Sequence, residues 1–256
     1  MDESKFRLDH KVAVVTGGTS GLGRSIAMAL SAMGADVIPV GRRRDKVEKA
    51  VAEIASQGSR TLKIAADLTK LNELDSLIQS IVKEFGRIDI LVNSAGAHLK
   101  KPAFEVESRE WDQIQDTNLK ATFFTCQRVA RVMRNQGGGA IVNLSSIASF
   151  TDFAETAVYG SSKAAVDRLT ASLACEWAPF GIRVNAIAPG VFVTPMNERL
   201  VLNSERGKKI LEHTPMGRFG ELDEIQGAAV FLVSGAARFV TGVVLPVDGG
   251  FLAKGI

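Results

Sequence analysis

The fold is decided by residues 12–30, which read VAVVTGGTSGLGRSIAMAL. The stretch opens with apolar and β-branched residues, a pattern that predicts a strand covered on both faces of a sheet. A glycine-rich turn follows, and Ile26, Ala27 and Leu30 then recur at helical spacing. A buried strand, a glycine turn and a helix in succession are typical of the beginning of a parallel α/β sheet.

The same alternation of short apolar runs and longer helical patterns continues to the end of the chain. Further strands are predicted at residues 36–40, 61–65, 88–92, 140–144, 183–188 and 242–247. Long helical patterns cover residues 109–134 and 157–177. We therefore predict a single-domain α/β fold over residues 1–256, a Rossmann-type doubly wound parallel sheet of about seven strands with helices on both faces.

Composition narrows the class of protein. The chain has 256 residues, of which 46% are hydrophobic and 23% charged, and its net charge is +3. These values are typical of a globular domain, and the slight positive charge does not by itself predict nucleic-acid binding. Cys126 and Cys175 show no spacing typical of a metal site or a disulfide framework. The polar amino terminus and the absence of a long apolar run predict a cytoplasmic protein without a membrane span.

The glycine-rich turn has the properties of a phosphate-binding loop. Glycines let backbone N–H groups approach a ligand closely, and the following helix N-terminus favours a negatively charged pyrophosphate. We therefore predict that a dinucleotide is bound here by Gly17, Thr19, Ser20, Gly21, Leu22 and Gly23.

The choice of dinucleotide is predicted from the end of the second strand, where an acidic residue would bind a ribose 2′-hydroxyl. The chain has Arg42, Arg43 and Arg44 at this point. Guanidinium donors suit a phosphate, so Arg42 is predicted to bind a 2′-phosphate, which favours NADP(H) and leaves NAD(H) open. Arg43 and Arg44 are interpreted as the solvated start of the next helix.

A tyrosine and a lysine lie four residues apart in the last long helical pattern. This spacing places Tyr159 and Lys163 on one face of a helix. A nearby cation lowers the pKa of a phenol, so the two side chains predict an acid–base pair. Ser145 and Ser146 follow one predicted strand and residues 93–96 follow another. Because the carboxyl ends of parallel strands meet at one edge of a sheet, these polar groups are expected to converge.

Together these residues resemble the short-chain dehydrogenase/reductase family over about residues 9–252. The motifs that carry the resemblance are TGGTSGLG at 16–23, Asp67, NSAG at 93–96, Asn118, Ser146, YGSSK at 159–163 and Pro189-Gly190. The resemblance implies an NAD(P)-dependent oxidoreductase that moves a hydride between the nicotinamide and a secondary alcohol or ketone.

The resemblance also implies a role for each catalytic residue. Tyr159 is the acid/base, and Lys163 lowers its pKa and binds the nicotinamide ribose. The family's tyrosine lies 13 residues after its catalytic serine, which selects Ser146 over Ser145 as the group that binds the substrate oxygen. Asn118 holds a water of a proton relay, and no metal is implied. Besides Tyr159 and Lys163, the residues implied at the cofactor are Asp67, Leu68, Asn93, Ala95, Gly96, Pro189, Gly190, Phe192 and Thr194. Family members that take NADP often have a basic residue where this chain has Ser20.

The sequence also indicates features of the substrate site and of the assembly. Residues 191–217 are expected to form a substrate lid of mixed polarity. His98 and Lys100 are expected in an exposed loop, with contact to the substrate as the alternative. The overall pattern resembles 3-oxoacyl-[acyl-carrier-protein] reductases, whereas PVDGGFLA at 246–253 resembles sugar-acid dehydrogenases such as gluconate 5-dehydrogenase, so both remain open. Residues 239–252 resemble the tail of homotetrameric members.

Two alternatives belong to other classes of function. The first is a catalytically silent sensor that binds NAD(P), against which the complete set of predicted catalytic residues argues. The second is a nucleic-acid binder that uses Arg42, Arg43, Arg44 and Lys46. A small-molecule alcohol or ketone, and no nucleic acid or membrane, is the predicted partner.

Overall fold

The strand predicted at residues 12–16 is β1, Val12–Thr16, and it lies inside a six-stranded sheet. The other strands are β2 (Asp36–Val40), β3 (Ile90–Asn93), β4 (Gly139–Leu144), β5 (Ile182–Pro189) and β6 (Val244–Val247). Every pairing is parallel, in the order β2-β1-β3-β4-β5-β6, which confirms the predicted parallel α/β fold. This computed structural model describes residues 2–194 and 197–255, so residues 195 and 196 of the predicted lid lie outside the described part.

Helices connect the strands. They are α1 (Gly21–Ala32), α2 (Arg44–Ser56), α3 (Leu71–Phe85), α4 (Ser108–Gln115), α5 (Ala121–Asn135), α6 (Ala157–Trp177), α7 (Glu198–Val201), α8 (Glu205–His213) and α9 (Gln226–Val233). The pattern predicted as one helix over 109–134 is divided into α4 and α5 by a π-helical turn, Asp116–Lys120. None of the described helices combines the length and the hydropathy that crossing a bilayer requires.

The sheet separates two hydrophobic cores, which confirms helices on both faces. Ala13 and Val15 pack with α1 and α9 on one face, whereas Val12 and Val14 pack with α3 and α5 on the other. Successive side chains of a strand point to opposite faces, so a strand between two cores must be apolar throughout. This requirement explains why the apolar run in the sequence of β1 is uninterrupted.

The strand predicted at residues 61–65 does not form, and the expected seven strands are therefore six in the described chain. This segment runs beside β2 but shares backbone hydrogen bonds with it only at the two ends. Val37 N donates to Arg60 O at 3.1 Å, and Ala66 N donates to Gly41 O at 3.1 Å. Between Val37 and Gly41, the residue whose N–H would face the same edge is Pro39, which has no N–H. The proline removes the central bond of the ladder.

The chain reverses its direction of travel across the sheet between β1 and β3. From β1 it first builds β2 on one side and then adds β3 to β6 on the other. Ser94 N, just beyond β3, donates to Thr16 O at the end of β1 at 3.1 Å. A switch point of this kind leaves a crevice beyond the carboxyl ends of the two strands, which is where ligands bind in open α/β sheets.

Candidate active site

The predicted phosphate-binding loop forms a tight turn at this crevice. Gly17 and Gly21 have φ values of 67° and 53°, a region in which other residues are strained. A Cβ on Gly17 would lie 2.8 Å from Ser94 O, and a Cβ on Gly23 would lie 2.5 Å from Gly17 O. Ser20 precedes α1 without a side-chain cap, so the first N–H groups of the helix have no partner from that residue. The loop therefore fits a dinucleotide pyrophosphate, because its glycines leave the backbone accessible and no side chain of Ser20 caps the helix N-terminus.

The residues predicted at the adenosine end come together beyond β2. A Cβ on Gly41 would lie 2.9 Å from Thr19 Oγ1, which places Thr19 beside the end of the strand. Arg42 is exposed and makes no ion pair with any residue in the described ranges. Burial alone would raise the pKa of Asp67, but hydrogen bonds from Thr69 and the positive charges of Arg42 and Lys70 lower it overall. An ionised carboxylate and a free guanidinium thus flank the place expected for the adenosine.

Of the other residues predicted at the cofactor, Asn93 and Leu68 are buried, whereas Ala95 and Gly96 are partly exposed beyond β3. Asn93 Nδ2 donates to Asn143 Oδ1 at 2.9 Å across β3 and β4, which fits the expected role of steadying the sheet. Leu68 is buried in the core, and Ala95 N donates to Thr16 Oγ1 at 3.2 Å. A Cβ on Gly96 would lie 3.4 Å from Asn118 Oδ1 and 3.8 Å from Lys163 Nζ. Gly96 therefore lies between the predicted nucleotide loop and the predicted catalytic residues.

The residues predicted after β5 cover the opening. Thr194 lies over the phosphate-binding loop, since a Cβ on Gly21 would be 3.5 Å from Thr194 Cγ2. Phe192 is buried in the core and forms a bridge with Gly220, so its side chain supports the loop from within. Gly190, next to Pro189, has no room for a Cβ, which would lie 2.6 Å from Asp248 Cα. A cavity of about 200 Å³ lies here, lined by Gly190, Phe192, Thr214, Asp248 and their neighbours but not by Tyr159.

The four predicted catalytic residues converge at the carboxyl edge of β3 and β4. Ser146 follows β4 and accepts a hydrogen bond from Ala148 N at 3.1 Å, which orients its hydroxyl. Tyr159 and Lys163 lie on α6, with Lys163 Nζ 5.9 Å from the centroid of the phenol ring. Lys163 Nζ donates to Leu144 O at 2.7 Å, which ties the ammonium to the end of β4.

The electrostatics of the pair differ from the prediction that Lys163 lowers the pKa of Tyr159. Burial raises the pKa of Tyr159, and the hydrogen bond with Ser146 only opposes that rise. Burial also lowers the pKa of Lys163 to about 8, against the opposing charge of Asp167. Removal from water disfavours both charged forms, and the ammonium is directed at a carbonyl rather than at the phenol. The phenol in this geometry is a neutral acid.

Asn118 lies in the π-helical turn and is buried. Its Oδ1 accepts from Ala97 N at 2.7 Å, and its Nδ2 donates to Ala97 O at 2.9 Å and to Ser162 Oγ at 3.0 Å. The amide therefore fastens the segment after β3 to α6. These bonds use both N–H groups of the amide and one of the two acceptor positions of Oδ1. The proton relay stays a prediction.

Two further side chains lie at this site: His98, for which contact with the substrate was the alternative expectation, and Asp167, which was not singled out from the sequence. The ring of His98, expected in an exposed loop, is 4.6 Å from the ring of Tyr159, centroid to centroid. Asp167 follows Lys163 by one helical turn, and its Oδ1 is buried without a hydrogen-bond partner. Burial raises the pKa of Asp167, while Ser145, Ser149 and the charge of Lys163 oppose the rise. The only available signal was position: His98 follows the β3 motif, and Asp167 is four residues after Lys163.

A parallel α/β sheet with a bare glycine loop at its switch point and a Tyr–Lys–Ser cluster beside it defines a dinucleotide-dependent oxidoreductase. Residues 17–252 match the family model described as enoyl-(acyl carrier protein) reductase, and the chain belongs to the short-chain dehydrogenase/reductase family.

Similar proteins cover almost the whole chain. The 2-dehydro-3-deoxy-D-gluconate 5-dehydrogenase of Dickeya dadantii is 40% identical over 250 residues, which are 97% of this chain and 98% of that one. The 3-oxoacyl-[acyl-carrier-protein] reductase of Staphylococcus epidermidis is 38% identical over 242 residues, 94% of this chain and 98% of that one. The crystal structure of a gluconate 5-dehydrogenase from Burkholderia cenocepacia, in complex with NADP and tartrate, superposes with a TM-score of 0.95 at 34% identity, covering 98% of this chain and 99% of that one. These relatives confirm the prediction of an oxidoreductase of this family.

Proposed function

We propose that this protein reduces a ketone, and oxidises the matching secondary alcohol, with NADP(H) as the favoured cofactor. The observation that carries the proposal is the convergence of Ser146, Tyr159 and Lys163 at the crevice that holds the glycine loop. The bound dinucleotide supplies the hydride in one direction and accepts it in the other.

The chain's own residues handle the proton and the oxygen. Ser146 donates a hydrogen bond to the carbonyl oxygen of the substrate. Tyr159 donates its phenolic proton to that oxygen as the hydride reaches the carbonyl carbon, and it takes the proton back in the oxidation. The raised pKa of the buried phenol keeps this proton in place at neutral pH. Lys163, one helical turn from Tyr159 on α6, binds the nicotinamide ribose in this proposal.

The test follows the oxidation of NADPH by absorbance with a panel of oxo acids, 3-oxoacyl thioesters and neutral ketones. We expect the Tyr159→Phe variant to lose about 10²- to 10⁴-fold in kcat, the range for removal of a general acid–base group, while it still binds NADPH. Ser146→Ala should show a comparable loss, and Ser145→Ala provides the matched control at the adjacent position. Full activity of Tyr159→Phe, or a wild type inactive with the whole panel in both directions, would contradict the proposal.

Preference for NADP(H) is supported by Arg42, which has no carboxylate partner among the described residues and lies close enough to Asp67 to lower its pKa. The gluconate 5-dehydrogenase structure from Burkholderia cenocepacia holds NADP. A guanidinium at this position suits the 2′-phosphate that distinguishes NADP from NAD.

We also propose a homotetramer, because two separate apolar surfaces are exposed. Phe239 is fully exposed and Val243 is 40% exposed next to the edge strand β6. Trp111, 46% exposed, lines a groove with Val106 and Val158 between α4 and α6. A tetramer with two-fold axes needs two kinds of self-complementary interface, and these two surfaces supply them.

A further inference from the structure

Helix α8 belongs to the predicted lid and contacts the loop that joins Ser146 to Tyr159. Arg206, near the start of α8, is half-buried, and its Cζ lies 5.7 Å from the centroid of the Phe153 ring. Phe153 lies in the loop that joins Ser146 to Tyr159. The guanidinium is therefore directed from the lid toward the segment that carries the catalytic hydroxyls, rather than toward solvent.

The positive charge of Arg206 acts on His98, the residue that lies against Tyr159. The pKa of His98 is lowered mainly by burial and further by the charges of Arg206 and Lys100. The His98 ring in turn lies against Tyr159, with 4.6 Å between ring centroids. Three basic side chains from two distant segments thus surround one side of the space next to the phenol.

Only one of the two permanent cations has a counter-charge. Lys100 Nζ pairs with Glu155 at 3.0 Å. On the lid helix itself, Lys208 pairs with Glu205 at 2.6 Å. Arg206, by contrast, makes no ion pair with any carboxylate of residues 2–194 and 197–255. A guanidinium without a carboxylate partner keeps hydrogen-bond donors that an anionic ligand can use.

We propose that Arg206 binds the carboxylate of a small hydroxy or oxo acid whose reacting carbon lies at Tyr159. Guanidinium donors match a carboxylate in geometry and charge, and the His98 ring, which feels the charge of Arg206, lies against Tyr159. This inference rests on the proposed oxidoreductase function. Among the possible substrates it favours small acids, because neutral polyols and acyl thioesters carry no charge next to the reacting carbon.

The test compares an acid with a neutral partner of the same length. Oxidation of D-gluconate and of D-glucitol with NADP⁺ is measured for the wild type, Arg206→Gln, Arg206→Lys and Lys209→Gln, the last being an exposed change on the same helix. We expect Arg206→Gln to raise KM for the acid about 10- to 100-fold, the loss for removing a hydrogen bond to a charged group, with kcat and the glucitol reaction little changed. Arg206→Lys should recover part of the loss, and Lys209→Gln should match the wild type.

A second readout does not depend on turnover of either compound. Tartrate should inhibit the wild type competitively against whichever substrate of the panel the enzyme reduces, and the inhibition constant should rise in Arg206→Gln but not in Lys209→Gln. Equal losses with acid and polyol, or unchanged KM and tartrate inhibition in Arg206→Gln, would overturn the role of Arg206 while leaving the oxidoreductase function intact. A wild type without activity on any alcohol or ketone would instead overturn the proposed function.

Discussion

Burial acts on Tyr159 and Lys163 in opposite directions. It raises the pKa of the phenol and lowers that of the ammonium to about 8, so each group is held toward its neutral form. A neutral phenol is the form that donates a proton to a ketone. The geometry around these two residues therefore suits carbonyl reduction near neutral pH, and oxidation of the alcohol should require a higher pH, at which the phenol can accept the proton.

Arg42 provides the prediction at the residue scale. If its guanidinium binds the 2′-phosphate, Arg42→Ala should raise Kd for NADPH about 10- to 100-fold, because hydrogen bonds to charged groups contribute about 1.5–3 kcal/mol each. NADH lacks this phosphate, so its Kd should hardly change. Titration of the intrinsic nicotinamide fluorescence with both dinucleotides measures the two constants.

The neighbouring arginine supplies the control. Arg43 precedes α2 and is exposed, so Arg43→Ala should bind both dinucleotides as the wild type does. Equal weakening of NADPH and NADH by Arg42→Ala would show that this residue does not distinguish the two cofactors.

At the scale of elements, the turn between β1 and α1 depends on the absence of side chains. A Cβ on Gly23 would lie 2.5 Å from a backbone oxygen, that of Gly17, which cannot move without opening the turn. We expect Gly23→Ala to lower the free energy of unfolding by about 1–3 kcal/mol, as overpacking does, and to weaken the binding of both dinucleotides. Urea unfolding and the same fluorescence titration measure the two effects.

A glycine-to-alanine substitution at an uncrowded helical position distinguishes the effect of crowding on stability from the effect of helix propensity. Gly227 lies in α9 with no atom within 4 Å of a Cβ built on it. Gly227→Ala should leave cofactor binding unchanged and leave stability unchanged or slightly higher, since alanine is the better helix former. A Gly23→Ala variant as stable as Gly227→Ala would mean that the turn tolerates a side chain.

Elements with regular periodicity were predictable, whereas local interruptions were not. The bounds of β1, β2 and α6 follow from apolar runs and helical spacing in the sequence. The segment 61–65 has the composition of a strand, but whether it pairs depends on Pro39 of another segment, which no local pattern reveals. The π-helical turn at Asp116–Lys120 inserts a wider turn without disturbing the apolar pattern, so the two helices read as one.

In the candidate site, too, some residues could be predicted from local sequence patterns and others could not. Spacing and strand ends indicated Tyr159, Lys163 and the pair Ser145–Ser146, and the resemblance to the family selected Ser146. Arg206 and His98 approach the phenol from segments more than 100 residues apart in the chain, and their meeting depends on how the lid folds over the edge. The pKa of Tyr159 likewise depends on burial, which spacing on a helix does not report.

At the scale of the whole molecule, the exposed apolar surfaces predict self-association. Phe239→Asp should disrupt the interface at β6 and convert the proposed tetramer to smaller species, because an aspartate would be buried without a partner. Light scattering after gel filtration measures the mass. Leu202→Asp, at a lid side chain that is 40% exposed, is the control and should leave the mass unchanged. A wild type that runs as a monomer at micromolar concentration would contradict the assembly.

Pro39 has a consequence for how far such assembly can proceed. The sheet has one edge at β2 and the other at β6, and each of these strands contains a proline, Pro39 or Pro246, which has no N–H for a further strand to pair with. In the proposed tetramer, contacts at the β6 surface would therefore be made by side chains such as Phe239 and Val243 rather than by main-chain pairing of two sheets. An interruption at both edges disfavours the continued strand addition from which a fibre grows.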